Sequence, residues 1–183
     1  MGHARNSSLS EKKKSGNRLP IADNAVQYGA ICFRFSPNSE RAIEVLLITS
    51  RDTGRWVIPK GWGMAKKRSF EVAKQEAWEE AGMKGRVWKR SLGSYKYPKV
   101  LEGGDVVLAC VRVHLILVTR IEEFFPEKGQ RTLRWFVPAE AAEAANEPDL
   151  KNLLGKVPDE IAKLLRRGFK HGPSELPVTQ AVQ

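Results

Sequence analysis

The stretch Gly61–Met83, GWGMAKKRSFEVAKQEAWEEAGM, constrains this chain more than any other. Glu76, Glu79 and Glu80 stand at i, i+3 and i+4, and because successive helical residues turn by about 100°, the three carboxylates share one face of an α-helix. Like charges so spaced cost an isolated helix roughly a few tenths of a kcal/mol per pair, so the pattern calls for something positive opposite it. Taken alone, three glutamates fit a solvated acidic face. They equally fit a hard divalent cation such as Mg²⁺, which takes carboxylate oxygens and shares its shell with substrate phosphates. The flanks favour the cation. Trp56-Val57-Ile58-Pro59 reads as a strand running into the Gly61-Trp62-Gly63 turn, and Lys66, Lys67 and Arg68 stand just before Ser69, the predicted N-cap. Cations are disfavoured at a helix N-terminus unless an anion joins them there, and the free N–H groups of that terminus suit a phosphate. Phe70, Ala73, Ala77 and Ala81 form an apolar stripe beside the acidic one, so the helix can pack on a sheet and offer its carboxylates to a cleft. Gly82 is the expected stop.

The same residues resemble the signature of the Nudix hydrolases, G-x5-E-x7-R-E-U-x-E-E-x-G-U with U aliphatic. Gly61, Glu76, Ala77, Glu79, Glu80, Gly82 and Met83 match it, whereas Lys67 stands in place of the first Glu and Gln75 in place of the Arg. In the family those two side chains pair and steady the loop against the helix; here that contact is expected to be lost while the E-x-x-E-E core stays intact. The resemblance implies an α+β fold, an α/β/α sandwich with a mixed central sheet. It also implies a pyrophosphohydrolase using Mg²⁺ or Mn²⁺. Pro59-Lys60-Gly61 is similar to family members that cut diadenosine polyphosphates. Cys32-Phe33-Arg34, Trp56-Val57-Ile58-Pro59 and the spacing of Pro126, Glu127, Arg131, Trp135 and Phe136 resemble the diphosphoinositol-polyphosphate branch. That branch carries basic residues where Gln27 and Tyr28 stand here.

Along the chain, residues 1–24 are polar and aperiodic with Lys12, Lys13 and Lys14, and read as a disordered basic arm; the one domain expected spans 25–170, followed by a loose tail over 171–183. Ala25–Phe35 and Ile43–Thr49 read as strands, the second apolar on both faces and so placed at the sheet centre. Further strands are expected over 86–92, 94–97, 106–118 and 131–137. In the long one, Val111, Val113, Leu115 and Leu117 share a face and Arg112 and His114 the other. His114, without partners at ligand spacing, reads as an ordinary strand residue. Helices are predicted from Pro138 to Ala145 and from Pro158 to Arg167, closed by Gly168, with one helix on each face of the sheet. Cys32 and Cys110 lie in apolar runs and, without an evident secretory signal, read as reduced thiols of a cytoplasmic protein. No apolar run is long enough to span a membrane.

The net charge of +10 resides mostly in the body of the chain and favours polyanions. The leading expectation is metal-dependent cleavage of a pyrophosphate bond in a nucleoside-diphosphate-linked or polyphosphorylated small molecule, a dinucleoside polyphosphate or inositol pyrophosphate being favoured. Glu76, Glu79 and Glu80 are the candidate catalytic and metal-holding residues, joined by the Gly61 carbonyl. Lys60, Gly61, Lys66, Lys67, Arg68, Arg55 and Arg131, with Arg51 beside them, are the candidate phosphate contacts. Glu76 is the first choice of general base, ahead of Glu123 and Glu127 in the loop IEEFFPEKGQR. Two alternatives stay open: a phosphate-ligand sensor without catalysis, suggested by Lys67 and Gln75, and an RNA 5′-end pyrophosphohydrolase or binder, suggested by the charge. Oligomeric state is left open.

Overall fold

A computed structural model of the chain describes residues 25–37 and 39–167; the predicted basic arm, Gly168 and the predicted tail lie outside them. The order of elements is β1 (Val26–Ser36), β2 (Ser39–Thr49), β3 (Trp56–Val57), β4 (Lys60–Trp62), α1 (Ser69–Ala81), β5 (Met83–Val87), β6 (Gly93–Val100), β7 (Val106–Ile121), β8 (Leu133–Phe136), α2 (Pro138–Ala144) and α3 (Pro148–Arg166). The strands join in one mixed sheet with the central order β3-β2-β1-β7-β5, to which β4 adds through β1, β6 through β7 and β8 through β2. Among these strand pairs only β1 and β7 run parallel, in register from Val26 opposite Cys110 to Phe33 opposite Leu117. The centre is therefore β1 rather than β2, although β2 is buried on both faces from Val45 to Ile48 as its unbroken apolar run requires.

Alternation along each strand sorts the core into two layers. On one side Leu46, Ile48, Ala30, Cys32, Ile116 and Val118 pack against Ala73, Ala77 and Ala81 of α1. On the other Val111, Val113, Leu115 and Leu117 of β7 pack with Ile31, Phe33, Val45 and Leu47 against α2 and α3. The sandwich is thus α/β/α, with α1 alone on one face and both remaining helices on the other, not one helix per face. The extra helix length comes from α3, which starts ten residues before the expected Pro158. Pro148 opens its first turn, and Pro158 lies inside it. An interior proline costs about 3 kcal/mol. Leu150, Leu153, Leu154, Val157 and Ile161 are all buried along one stripe, and at roughly 1.5–3 kcal/mol per buried apolar side chain their packing outweighs that cost.

His114 is more than a strand residue facing away from the core. Fully buried, it contacts the Trp88 carbonyl through Nδ1 at 3.0 Å and the Ser69 hydroxyl through Nε2 at 3.1 Å, joining β7 to the first turn of α1. Burial lowers its pKa. Cys32 and Cys110 are free thiols, and burial pushes Cys32 up to about 12. Among the described residues no helix is long and apolar enough to cross a membrane.

Candidate active site

The site is built where β4 crosses α1. Ala30 N–H donates to the Pro59 carbonyl at 3.0 Å, and β4 then pairs antiparallel with β1, with Lys60 opposite Gly29, Gly61 opposite Tyr28 and Trp62 opposite Gln27. Strand alternation sends Lys60 and Trp62 to one face and the Gly61 position to the other, toward α1. There the Glu76 carboxylate fills the volume a side chain would need: a Cβ on Gly61 would lie 2.1 Å from Oε1 and 2.5 Å from Oε2. The Lys60 N–H donates to Glu80 Oε2 at 2.9 Å, so β4 holds the helix by its carboxylates.

The helix starts one residue earlier than expected. Arg68 is the N-cap, its N–H donating to Glu71 Oε2 at 2.8 Å and its guanidinium to Glu71 Oε1 at 2.6 Å, while Ser69 is already helical. At the other end Gly82 takes φ 68°, a left-handed cap, and donates its N–H to Trp78 O at 2.8 Å. The contact expected to vanish with Lys67 and Gln75 persists in another form. Lys67 Nζ donates to Gln75 Oε1, and Gln75 Nε2 donates in turn to Glu79 Oε1 at 2.5 Å. The donor now sits on the loop and the acceptor on the helix, a hydrogen bond between a cation and a neutral amide in place of an ion pair, so the loop is still fastened to the helix.

A cleft of about 400 Å³ opens beside this crossing, with Glu76, Glu80 and Glu127 on its walls together with Lys60, Arg51, Lys99 and Arg131. Glu127 enters because its N–H donates to the Glu79 carbonyl at 3.0 Å, pinning the loop after β7 onto α1. Arg131, almost wholly buried, bridges the carboxylates: it donates to Glu80 Oε1 and to Glu127 Oε2, the latter at 2.9 Å, and reaches the Thr49 carbonyl at 3.1 Å. Burial raises the Glu80 pKa, opposed by Arg131 and the Lys60 N–H. Glu76 makes no hydrogen bond or ion pair among the described residues. Its burial, with Glu80, Glu79 and Glu127 nearby, lifts its pKa to about 7. Burial also lowers the pKa of Lys60, whose ammonium lies 5.4 Å above the Tyr97 ring.

The donor chemistry suits a hard divalent cation, since every acidic group here offers oxygen and Glu76 carries a repulsion that an ion would relieve. The oxygens do not yet converge. Among the described residues no three carboxylate, histidine or cysteine side chains form a ready cage, because Glu80 is engaged by Arg131 and Glu79 is turned toward Gln75, off the cleft lining.

Of the candidate phosphate contacts, Lys60, Gly61 and Arg131 line the cleft, as does Arg51. Lys66, Lys67 and Arg68 are exposed outside its lining, Lys67 and Arg68 being directed to Gln75 and Glu71. Arg55 lies 3.5 Å from Glu147 instead. Glu123 is exposed and off the lining. Sequence reasoning missed Gln27, Tyr97 and Lys99. The alternation of Tyr95 and Tyr97 with Ser94, Lys96 and Pro98 was the available signal, as period two puts Lys99 on their face. Tyr97 Oη donates to Gln27 Oε1 at 2.7 Å below the cleft.

No family model matches the chain. It is 29% identical over 161 residues to Nudix hydrolase 16, mitochondrial, of Arabidopsis thaliana, covering 82% of this chain and 85% of that one. It is 32% identical to Nudix hydrolase 12, mitochondrial, of the same plant over 55% of this chain and 51% of the relative, and 40% identical to human diphosphoinositol polyphosphate phosphohydrolase 3-alpha over 36% and 38%. The chain therefore spans about half or less of the length of the latter two. Among solved structures, an Ap4A hydrolase binary complex from C. elegans superposes with TM-score 0.56 at 18% identity over 75% of this chain and 98% of that one. The NUDIX domain of Shewanella oneidensis NrtR complexed with ADP ribose gives 0.55 at 11% identity, over 82% and 94%. These structural likenesses establish the fold.

Proposed function

Because the chain belongs to the Nudix hydrolase family, we propose that it cleaves a phosphoric anhydride in a small polyphosphorylated molecule with the help of a divalent cation, Mg²⁺ or Mn²⁺. The observation that carries this reading is Glu76: a buried carboxylate without a hydrogen-bonding partner among the described residues, pressed on Gly61 and lifted to about 7 at the wall of a cleft that also holds four cationic side chains. In the metal-free site such a carboxylate exchanges a proton near neutral pH, and a cation beside it would favour the ionised form that a general base needs; such groups contribute about 10²–10⁴ in rate.

Glu76, Glu79 and Glu80 would hold the cation, with Glu127 within the same charge cluster. When bound, the ion withdraws electrons from the phosphoryl group and acidifies a water molecule. The chain's own groups do the rest. Water oxygen bonds to phosphorus as the bridging P–O bond breaks, the water proton passes to a carboxylate, Glu76 in this reading, and the leaving phosphate departs as an anion. Lys60, Lys99 and Arg51 neutralise the phosphates beyond the one attacked, and holding them fixes the phosphorus against the water. Arg131 bridges Glu80 and Glu127 and offsets their mutual repulsion.

The test is a screen of nucleoside triphosphates, dinucleoside polyphosphates, ADP-ribose, inositol pyrophosphates and 5′-triphosphorylated RNA with Mg²⁺ and Mn²⁺, following phosphate or mononucleotide release. Turnover of at least one small anhydride is expected, and its loss in Glu80→Gln with an unchanged melting profile. Binding without release by any of these would instead favour a ligand sensor.

A further inference from the structure

We propose that a second cavity, walled by the connection from β5 to β6 and by the last two turns of α3, binds a small organic acid whose apolar body lies on Trp88 and whose anionic head meets Arg90 and Arg167. The cavity encloses about 400 Å³, as much as the cleft, and among the described residues the two have no lining side chain in common. The proposal does not depend on the anhydride-hydrolase reading. The floor of the cavity is apolar. Trp88, Leu92 and Leu164 pack on the core layer of α2 and α3 yet stay only partly buried, and Leu115 of β7 completes the surface. The indole is anchored by Phe33, whose ring centroid lies 5.7 Å away. Around this floor the charge is positive: Arg90, Lys163 and Arg167 are exposed there, against the single acid Glu160.

The helix dipole accounts for only part of this charge. Lys163 and Arg167 stand at the C-terminus of α3, where cations are favoured, but Arg90 arrives from a separate segment. All three converge on one carboxylate. Lys163 donates to Glu160 Oε1 at 2.6 Å, and this hydrogen bond, followed by the charges of Lys163, Arg90 and Arg167, holds the Glu160 carboxyl below its ordinary range. One acid among three bases leaves a positive surplus for a further anion. The wall that carries Arg90 is fastened at both ends: the Trp88 N–H donates to the Leu115 carbonyl and the Leu92 N–H to the Val113 carbonyl, each at 2.9 Å, while the buried His114 ring meets the Trp88 carbonyl at 3.0 Å. A Cβ on Gly93 would lie 2.7 Å from Leu153 Cδ2, so the glycine lets β6 begin close against α3. A site so built needs little ordering when a ligand enters. An apolar floor under a few converging polar groups is the usual make-up of a small-molecule site. An inorganic anion would leave the indole and leucines unused, and a neutral hydrocarbon would leave the arginines unused. An acid with an apolar chain or ring engages both.

The experiment titrates butyrate, hexanoate, octanoate and 1-octanol into the metal-free full chain by calorimetry. From the usual gain per buried methylene, each added pair is expected to tighten binding roughly tenfold. The uncharged 1-octanol should bind at least about tenfold more weakly than octanoate, since it forms no charge-assisted hydrogen bond. Arg90→Ala and Arg167→Ala should each weaken octanoate roughly tenfold or more with the melting temperature unchanged, as both side chains are exposed, whereas Lys60→Ala in the cleft should leave it within about twofold. A second readout locates the ligand: in NMR spectra the indole N–H signal of Trp88, assigned through Trp88→Phe, should shift with octanoate while that of Trp62 in the cleft stays in place. No binding of octanoate overturns the proposal, as does 1-octanol binding as tightly. Affinity unmoved by both arginine variants, affinity lost in Lys60→Ala, or a shift of Trp62 in place of Trp88 overturns it equally.

Discussion

Replacing Gly61 by alanine tests the site at its narrowest point. A Cβ there would stand 2.1 Å from Glu76 Oε1, 2.2 Å from Cδ and 2.5 Å from Oε2, whereas ordinary contact begins near 3.4 Å. Something must move by about 1 Å or more. The Glu76 carboxylate is the end of a flexible side chain, while β4 is fixed to β1 by its pairing and to Glu80 by the Lys60 N–H, so the carboxylate yields. Misplacing a catalytic group by about 1 Å costs on the order of 10²-fold, equivalent to about 2.7 kcal/mol in activation free energy. Overpacking costs about 1–3 kcal/mol of stability, which leaves a domain of this size folded. Gly61→Ala should therefore lower kcat about a hundredfold with its circular dichroism spectrum unchanged. The companion Gly63→Ala, whose Cβ meets only Tyr28 Cε2 at 3.3 Å, should lose less than about fivefold. Initial rates of anhydride hydrolysis with saturating Mg²⁺ decide it. A Gly61→Ala protein keeping more than about a tenth of wild-type kcat would refute the claim that Glu76, pressed on this glycine, is central to the chemistry.

Glu76, raised from 4.5 to about 7, stabilises the fold relative to its ionised form fully below about 4.5 and loses that contribution as pH rises through 7. Without divalent metal, Glu76→Gln should thus melt at a higher temperature than wild type at pH 8 and at nearly the same temperature at pH 4.5; an equal gap at both would contradict the burial of a charge there. Arg131→Ala leaves Glu80 buried without its partner, and at about 3–5 kcal/mol for breaking such a pair it should lower the urea midpoint strongly, with Arg131→Ala/Glu80→Gln recovering part of the loss. Lys67→Glu acts on an exposed contact outside the cleft lining. It should change stability by under about 1 kcal/mol in the same urea titration and leave the KM for polyphosphates within about twofold; a large rise in KM would restore Lys67 to the phosphate-holding set.

Helix α1 was readable from its residues because its apolar and acidic stripes both repeat at helical spacing, and β2 and β7 because unbroken and alternating apolar runs say which faces are covered. The start of α3 was not: Pro158 is as good an opening signal as Pro148, and only the stripe from Leu150 to Ile161, filled by contacts with the sheet, decides between them. Within the site, the three glutamates and Lys60 could be found by spacing, yet their engagements could not. Arg131 meets Glu80 across 51 residues, and Lys67 replaces a carboxylate in a contact that persists with donor and acceptor reversed and without an ion pair. The face of Trp62 depends on the pairing of β4 with β1, and a strand of three residues has no alternation to reveal it.

The parallel pairing of β1 with β7 has a further consequence, for how the molecule comes into being. A growing chain that has just produced α1 already holds all three glutamates, yet the strand that must lie beside β1 is still unmade, as is Arg131, which reaches back 82 residues to Thr49. Closing such distant partners is entropically costly and slow relative to local pairing. Until β7 arrives, Ala30, Ile31, Cys32 and Phe33 lack the neighbour that shields that edge. During that interval the nascent polypeptide is most exposed to self-association, and chaperones would find their target in β1.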